Sequence, residues 1–129
     1  MVMMYIGGYR GCVGATLRGE CTGAFNVAQM TMALQPLILL GMPYLWVDCQ
    51  RLTMASTADG QRLLLATNRE ARAQGLHLYW CGVAANLSEQ LRSRPGGKLL
   101  DVLPAAAYQG PQMLLAEHVP ATAASYCVG

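Results

Sequence analysis

The sequence predicts an α/β fold, a mixed, mostly parallel sheet of four to five strands packed by helices. Three observations carry that expectation. Strand-like and helix-like stretches alternate along the chain, the order that right-handed crossovers between parallel strands produce. The apolar run YLWVDC at 44–49 follows Pro43 and suits a strand covered on both faces. At 129 residues the chain is about one domain long, enough to bury a core without disulfide or metal staples.

Each element has its own signal. Residues 2–6 (VMMYI) read as a strand ended by Gly7-Gly8, and residues 12–18 (CVGATLR) as a second, followed by Gly19. The two are expected to pair as a hairpin. From about Phe25 to Leu34 the spacing suits a helix, with Phe25, Ala28 and Met32 on one face and Val27, Met30 and Leu34 on an adjacent one. Pro36 is expected to end or kink it, because the ring clashes with the preceding turn. The strand at 44–49 comes next.

The best-signalled helix runs from about Thr57 to Gln74. Ser56 with Asp59 three residues later reads as a capping box, and Thr57 is a second possible cap. Leu64, Thr67 and Ala71, widened by Leu63 and Ala66, form the inward stripe, while Arg62, Arg69 and Arg72 lie toward solvent. Gly75 is placed to close the helix in a left-handed turn. Residues 76–83 (LHLYWCGV) make the next strand. Asn86 with Glu89 reads as another capping box, opening a short helix to about Arg94 that Pro95-Gly96-Gly97 ends. Leu99 to Leu103 reads as an edge strand and Pro111 to His118 as a final helix. Residues 1–118 therefore form the expected domain, and 119–129 a frayed tail.

Composition narrows the function. A formal charge of +2 is spread over few charged residues, with no basic stripe and no basic–aromatic interleaving, which argues against nucleic acid as a partner. The five cysteines are odd in number and form no CxxC pair; reduced thiols and a cytoplasmic location are expected. The N-terminus lacks the layout of a signal peptide. Residues 21–47 carry no charge, but Gln29, Gln35, Pro36, Gly41 and Pro43 divide them, so a helix and a buried strand are expected and not a membrane span.

Enzyme signatures are scarce. His77 and His118 stand in no metal spacing, and the Gly-Gly pairs lack the context and the lysine of a phosphate loop. His77 reads as a strand residue with a satisfied ring, and Cys81, beside Trp80, as a core thiol. The seven carboxylates pick out no acid/base pair. No catalytic residue, metal ligand or cofactor is expected. The chemically interesting place is the strand-to-helix junction Thr53–Gly60, where Ser56 and Thr57 stand side by side. A phosphoryl group there would meet unpaired backbone N–H groups, or repel a docked partner with a charge of about −1.5 to −2. Simple capping is the commoner role of such hydroxyls.

The assembled residues resemble the STAS family, the fold of anti-sigma factor antagonists and of the cytoplasmic tails of sulfate transporters. Thr16-Leu17-Arg18-Gly19-Glu20 is similar to its early strand ending in Leu-x-Gly-Glu, and Val47-Asp48-Cys49-Gln50-Arg51-Leu52-Thr53-Met54 to its central strand and turn. The stretch from Leu63-Leu64-Leu65-Ala66 through Ala71-Arg72-Ala73-Gln74-Gly75, then Leu78 and Gly82-Val83, is similar to its second helix and following strand. The likeness covers about residues 3–104. Family members with a phosphoswitch carry Asp-Ser-Ser/Thr-Gly at the helix start. Counting forward from Asp48 puts Ser56 at the Asp position and Thr57 at the acceptor; counting backward from the helix puts Ala58 there.

The resemblance implies a regulatory module working by protein–protein contact, an anti-sigma factor antagonist. Its partner, an anti-sigma factor with kinase activity, would dock on Ser56, Thr57, Asp59, Gly60 and Arg62, with Thr57 or Ser56 as phosphoacceptor. Two alternatives stand beside it. One is a constitutive STAS subunit contacting the ATPase of an ABC-type lipid transporter through Thr57. The other is a small ligand-binding α/β domain using its strand carboxyl ends.

Overall fold

The computed structural model describes residues 1–21, 27–54 and 57–129, all but the side chain of Thr57. Among the described residues six strands form one mixed sheet: β1 (Val2–Tyr9), β2 (Cys12–Cys21), β3 (Tyr44–Met54), β4 (His77–Cys81), β5 (Asp101–Leu103) and β6 (Ala124–Cys127), in the order β5-β4-β3-β2-β1-β6. Helices α1 (Val27–Leu39), α2 (Thr57–Ala73) and α3 (Ala85–Arg92) connect the parallel strands β2 to β5. Each crossover steps to the next strand toward the same edge. Right-handed connections of that kind bring all three helices to one face, and α1 packs on α2 and α2 on α3. The α/β class and the largely parallel sheet thus agree with the sequence, but six strands replace the expected four to five.

Periodicity explains which face is buried. Leu45, Val47 and Cys49 of β3, Ala15 and Leu17 of β2, and Leu78 and Trp80 of β4 alternate toward the helices and form the core with Leu34, Leu63, Leu64 and Leu91. The hairpin of β1 and β2 forms as expected, though β1 continues through Gly7-Gly8 and turns at Arg10-Gly11, both at positive φ.

Several boundaries differ from expectation for identifiable reasons. Helix α1 runs through Pro36 to Leu39 and buries Met30, Ala33, Leu34 and Leu37, while Ala28 and Met32 face solvent. Burial of Leu37 beyond the proline outweighs the backbone hydrogen bond the ring forgoes. Phe25 lies outside the described residues. Asn86 does not cap α3; Ala84 is the N-cap residue and makes no side-chain cap bond. The final helix expected at Pro111–His118 is a short 3₁₀ turn, Gln112–Leu115.

The largest correction concerns residues 119–129. Expected to fray, they carry β6, which pairs antiparallel with β1 from Met3–Cys127 to Ile6–Ala124. After β5 the chain crosses the sheet face opposite the helices to reach that far edge. Gly14 makes the crossing possible: a Cβ there would stand 2.5 Å from the Tyr108 hydroxyl and 2.8 Å from Pro111 Cδ.

Candidate functional site

The β3–α2 junction lies at the carboxyl end of the parallel strands. Ser56, and Ala55 before it, lie outside the described residues, so the Ser56 cap and acceptor readings fall there too. Thr57 is the first residue of α2. Asp59, in the first turn, is half-buried; Gly60 is buried and Arg62 exposed. Gly60 is where α2 meets its neighbours, since a Cβ there would fall 2.0 Å from Met54 Sδ and 2.7 Å from Leu87 Cδ2. One turn of helix is thereby pressed between the end of β3 and α3. A pocket of about 280 Å³ opens beside it, with Thr53, Met54, Val83 and Asn86 in its wall. Thr53 donates its hydroxyl to the Gly19 carbonyl at 3.2 Å, fixing the end of β3 to β2.

From the junction the exposed side of α2 continues as a row. Arg62, Arg69 and Arg72 line a groove of about 540 Å³ whose apolar floor includes Leu65 and Leu99. The loop after α3 is its second wall, held by hydrogen bonds to the Leu99 carbonyl from Arg72 Nη1 at 2.9 Å and Asn68 Nδ2 at 3.3 Å. Gln61 ties the same wall at its other end, donating to Gln90 Oε1 at 2.6 Å and accepting from Arg94 Nε. At about 1.5 Å of rise per residue, Arg62 stands about 10 Å along the axis from Arg69, and Arg72 about 5 Å beyond that. The three cations make a line and not a single focus, the layout that suits an extended acidic segment. The solvent-facing arginines were legible from their helical spacing. The far wall was not, because Pro95 to Leu99 reach α2 only through the fold.

Away from this surface, His77 and the core thiols are occupied or buried. His77 Nε2 bonds Asp101 Oδ2, so its ring is satisfied as expected of a strand residue. Cys12, Cys49, Cys81 and Cys127 are free thiols; Cys21, Cys49 and Cys81 are buried. Burial, with Asp48 nearby, pushes the Cys81 thiol up to about 11 and raises Cys49 as well. Thiols held protonated in this way are poor nucleophiles. Among the described residues no three His, Cys, Asp or Glu side chains gather to hold a metal ion, and no helix is long and apolar enough to cross a membrane.

No protein-family model matches the chain, and no curated protein matches it.

Proposed function

We propose that this protein is a non-enzymatic regulatory module acting by protein–protein contact, an anti-sigma factor antagonist whose partner docks across the β3–α2 junction and the arginine row of α2. The observation that carries the reading is the row itself. Arg62, Arg69 and Arg72 are exposed along an apolar-floored groove that begins one turn from the hydroxyl-bearing helix start. An acidic, partly apolar segment of the partner satisfies both the guanidinium groups and the floor. Resemblance to the STAS family supplies the class of partner, an anti-sigma factor with kinase activity.

Charge explains how such contact is ended. A phosphoryl group on Thr57 or Ser56 adds about −1.5 to −2 beside Asp59, and that negative field opposes an acidic partner arriving at Arg62. The arginine row then loses its attraction where the partner enters.

The test uses the full chain and a purified anti-sigma factor with kinase activity from the same organism. Calorimetry is expected to give a complex that Arg62→Glu weakens by about tenfold or more. Kinase and ATP are expected to place a phosphoryl group on the peptide holding Ser56 and Thr57, seen by mass spectrometry, and to abolish binding. A kinase that neither binds the chain nor modifies that peptide removes the proposal.

A further inference from the structure

The two edges of the sheet are finished differently. Edge strands present unpaired N–H and C=O groups, and proteins blunt them with charge, proline, bulges or very short strands. At one edge, β5 is three residues long and carries Asp101, engaged by His77. At the other, β6 reads Ala-Ser-Tyr-Cys, with neither charge nor proline, and its register with β1 is regular from Met3–Cys127 to Ile6–Ala124. Val128 donates to the Val2 carbonyl at 2.9 Å. By the alternation of an antiparallel ladder, Ala124 and Tyr126 also turn their backbone groups toward β1, and Ser125 and Cys127 turn theirs outward. Both residues are exposed.

Beside this edge lies a flank of α1. Gln29, Met32 and Ala33 form a cleft of about 390 Å³ with Ser125, Tyr126 and Cys127. Met32 is 73% exposed and Leu40, just past the helix end, 76%. Pro36 falls between them on the same side by helical spacing. From Cys21 to Val47 the sequence has no charged residue. An open strand edge and an uncharged apolar helix flank therefore adjoin.

We propose that this surface is the interface of a two-fold homodimer, in which β6 pairs antiparallel with β6 of a second copy and joins the two sheets into one. The occupant follows from self-complementarity. A strand added here must offer an open edge of its own, and the surface arriving beside α1 must be apolar and uncharged. The chain carries both features side by side, and a two-fold rotation sets edge antiparallel to edge and flank against flank. The charged residue that meets this flank, Glu70 of α2, lies with Met32 and Pro36 in a separate groove on the α2 side. With Tyr126 on the axis, Ser125 of each copy faces Cys127 of the other, and the outward N–H and C=O groups of both residues are satisfied. The flanks meet over the seam through Met32, Pro36 and Leu40. The arginine row of α2 lies outside this interface, so the proposal stands apart from the anti-sigma reading.

Sedimentation velocity of the full chain over a range of micromolar concentrations tests it. A dimer is expected, with Ser125→Pro and Met32→Glu each giving a monomer that keeps the native circular dichroism spectrum. The proline substitution removes only an outward N–H. The glutamate substitution changes a surface side chain, so the second variant covers any misfolding of the first. Residues in the hydrogen-bonded positions of antiparallel strands have Cα atoms about 5.5 Å apart, within disulfide reach. Ser125→Cys is therefore expected to give a covalent dimer on mild oxidation, lost again when Cys127→Ser is added. A monomer at every concentration overturns the proposal. So does a dimer that survives both Ser125→Pro and Met32→Glu, or a Ser125→Cys chain that stays uncrosslinked.

Discussion

Asp48 is only 1% exposed in the middle of β3, where a carboxylate is costly unless its oxygens are paired. The Thr16 hydroxyl donates to Oδ2 at 2.9 Å, and the Gln50 backbone and side-chain amides donate to Oδ1 at 3.2 and 3.1 Å. Thr16→Val keeps the shape but leaves Oδ2 short of a donor, and is expected to cost about 1.5 to 3 kcal/mol in urea unfolding. The sequence marked Asp48 only through its motif; its donor Thr16 lies on another strand, and nothing local ties the two. The thiols make a pH prediction. In the unfolded chain Cys81 ionises near 9, whereas in the fold burial holds it protonated up to about 11. The unfolded state therefore binds fewer protons between those values, and stability falls as pH rises through them. Each such thiol contributes a slope of at most about 1.4 kcal/mol per pH unit. Cys49, raised for the same reason, adds to the fall. Comparing unfolding at pH 8.5 and 10.5 checks the sign, and Cys81→Ala is expected to flatten the decline.

At the level of elements, the end of α2 was legible in the sequence. Gly75 is at φ +85°, and the bonds Gly75 N–H to Arg72 O and Leu76 N–H to Ala71 O close α2 in a Schellman turn, with Leu76 buried. A glycine after an amphipathic run carries that signal within a few residues. Gly75→Ala is expected to cost about 1 kcal/mol, read from thermal unfolding, since a side chain is strained at that φ though nothing blocks it sterically. Helix α1 shows the opposite case. Proline is locally a stop, yet α1 continues because Leu37 finds the core, information that resides in β2 and β3 and not in the helix. Pro36→Ala restores a backbone donor and is expected to raise stability by about 1 to 2 kcal/mol in urea unfolding. β6 was illegible for a related reason: its four residues, mostly exposed and small, become a strand only because β1 offers an edge.

Over the whole molecule, the helix-covered face was readable from alternation, and the opposite face was not. That face is closed by residues 104–123 crossing it, and the tie that holds them is Arg18 on β2. Its guanidinium donates to the carbonyls of Glu117 at 2.7 Å and Leu114 at 2.8 Å, and also to Ala116. Arg51 on β3 reaches the Leu115 carbonyl at 3.4 Å. Burial, and then the nearby Arg51, lower the Arg18 pKa from its ordinary value, while Asp48 acts against that. Two cations thus grip the last turn of a 3₁₀ segment, where backbone carbonyls have no helical partner. Nearly a hundred residues separate Arg18 from those carbonyls, so no sequence window holds both. Arg18→Met keeps much of the stem but removes every donor. If the clasp holds the crossing, this variant frees the crossing locally while the helix-covered core persists. Hydrogen exchange is expected to rise in residues 112–128, β6 included, with the amides of β3 and β4 still protected. Uniform loss of protection across all strands would instead make Arg18 part of the global fold, with no separate clasp.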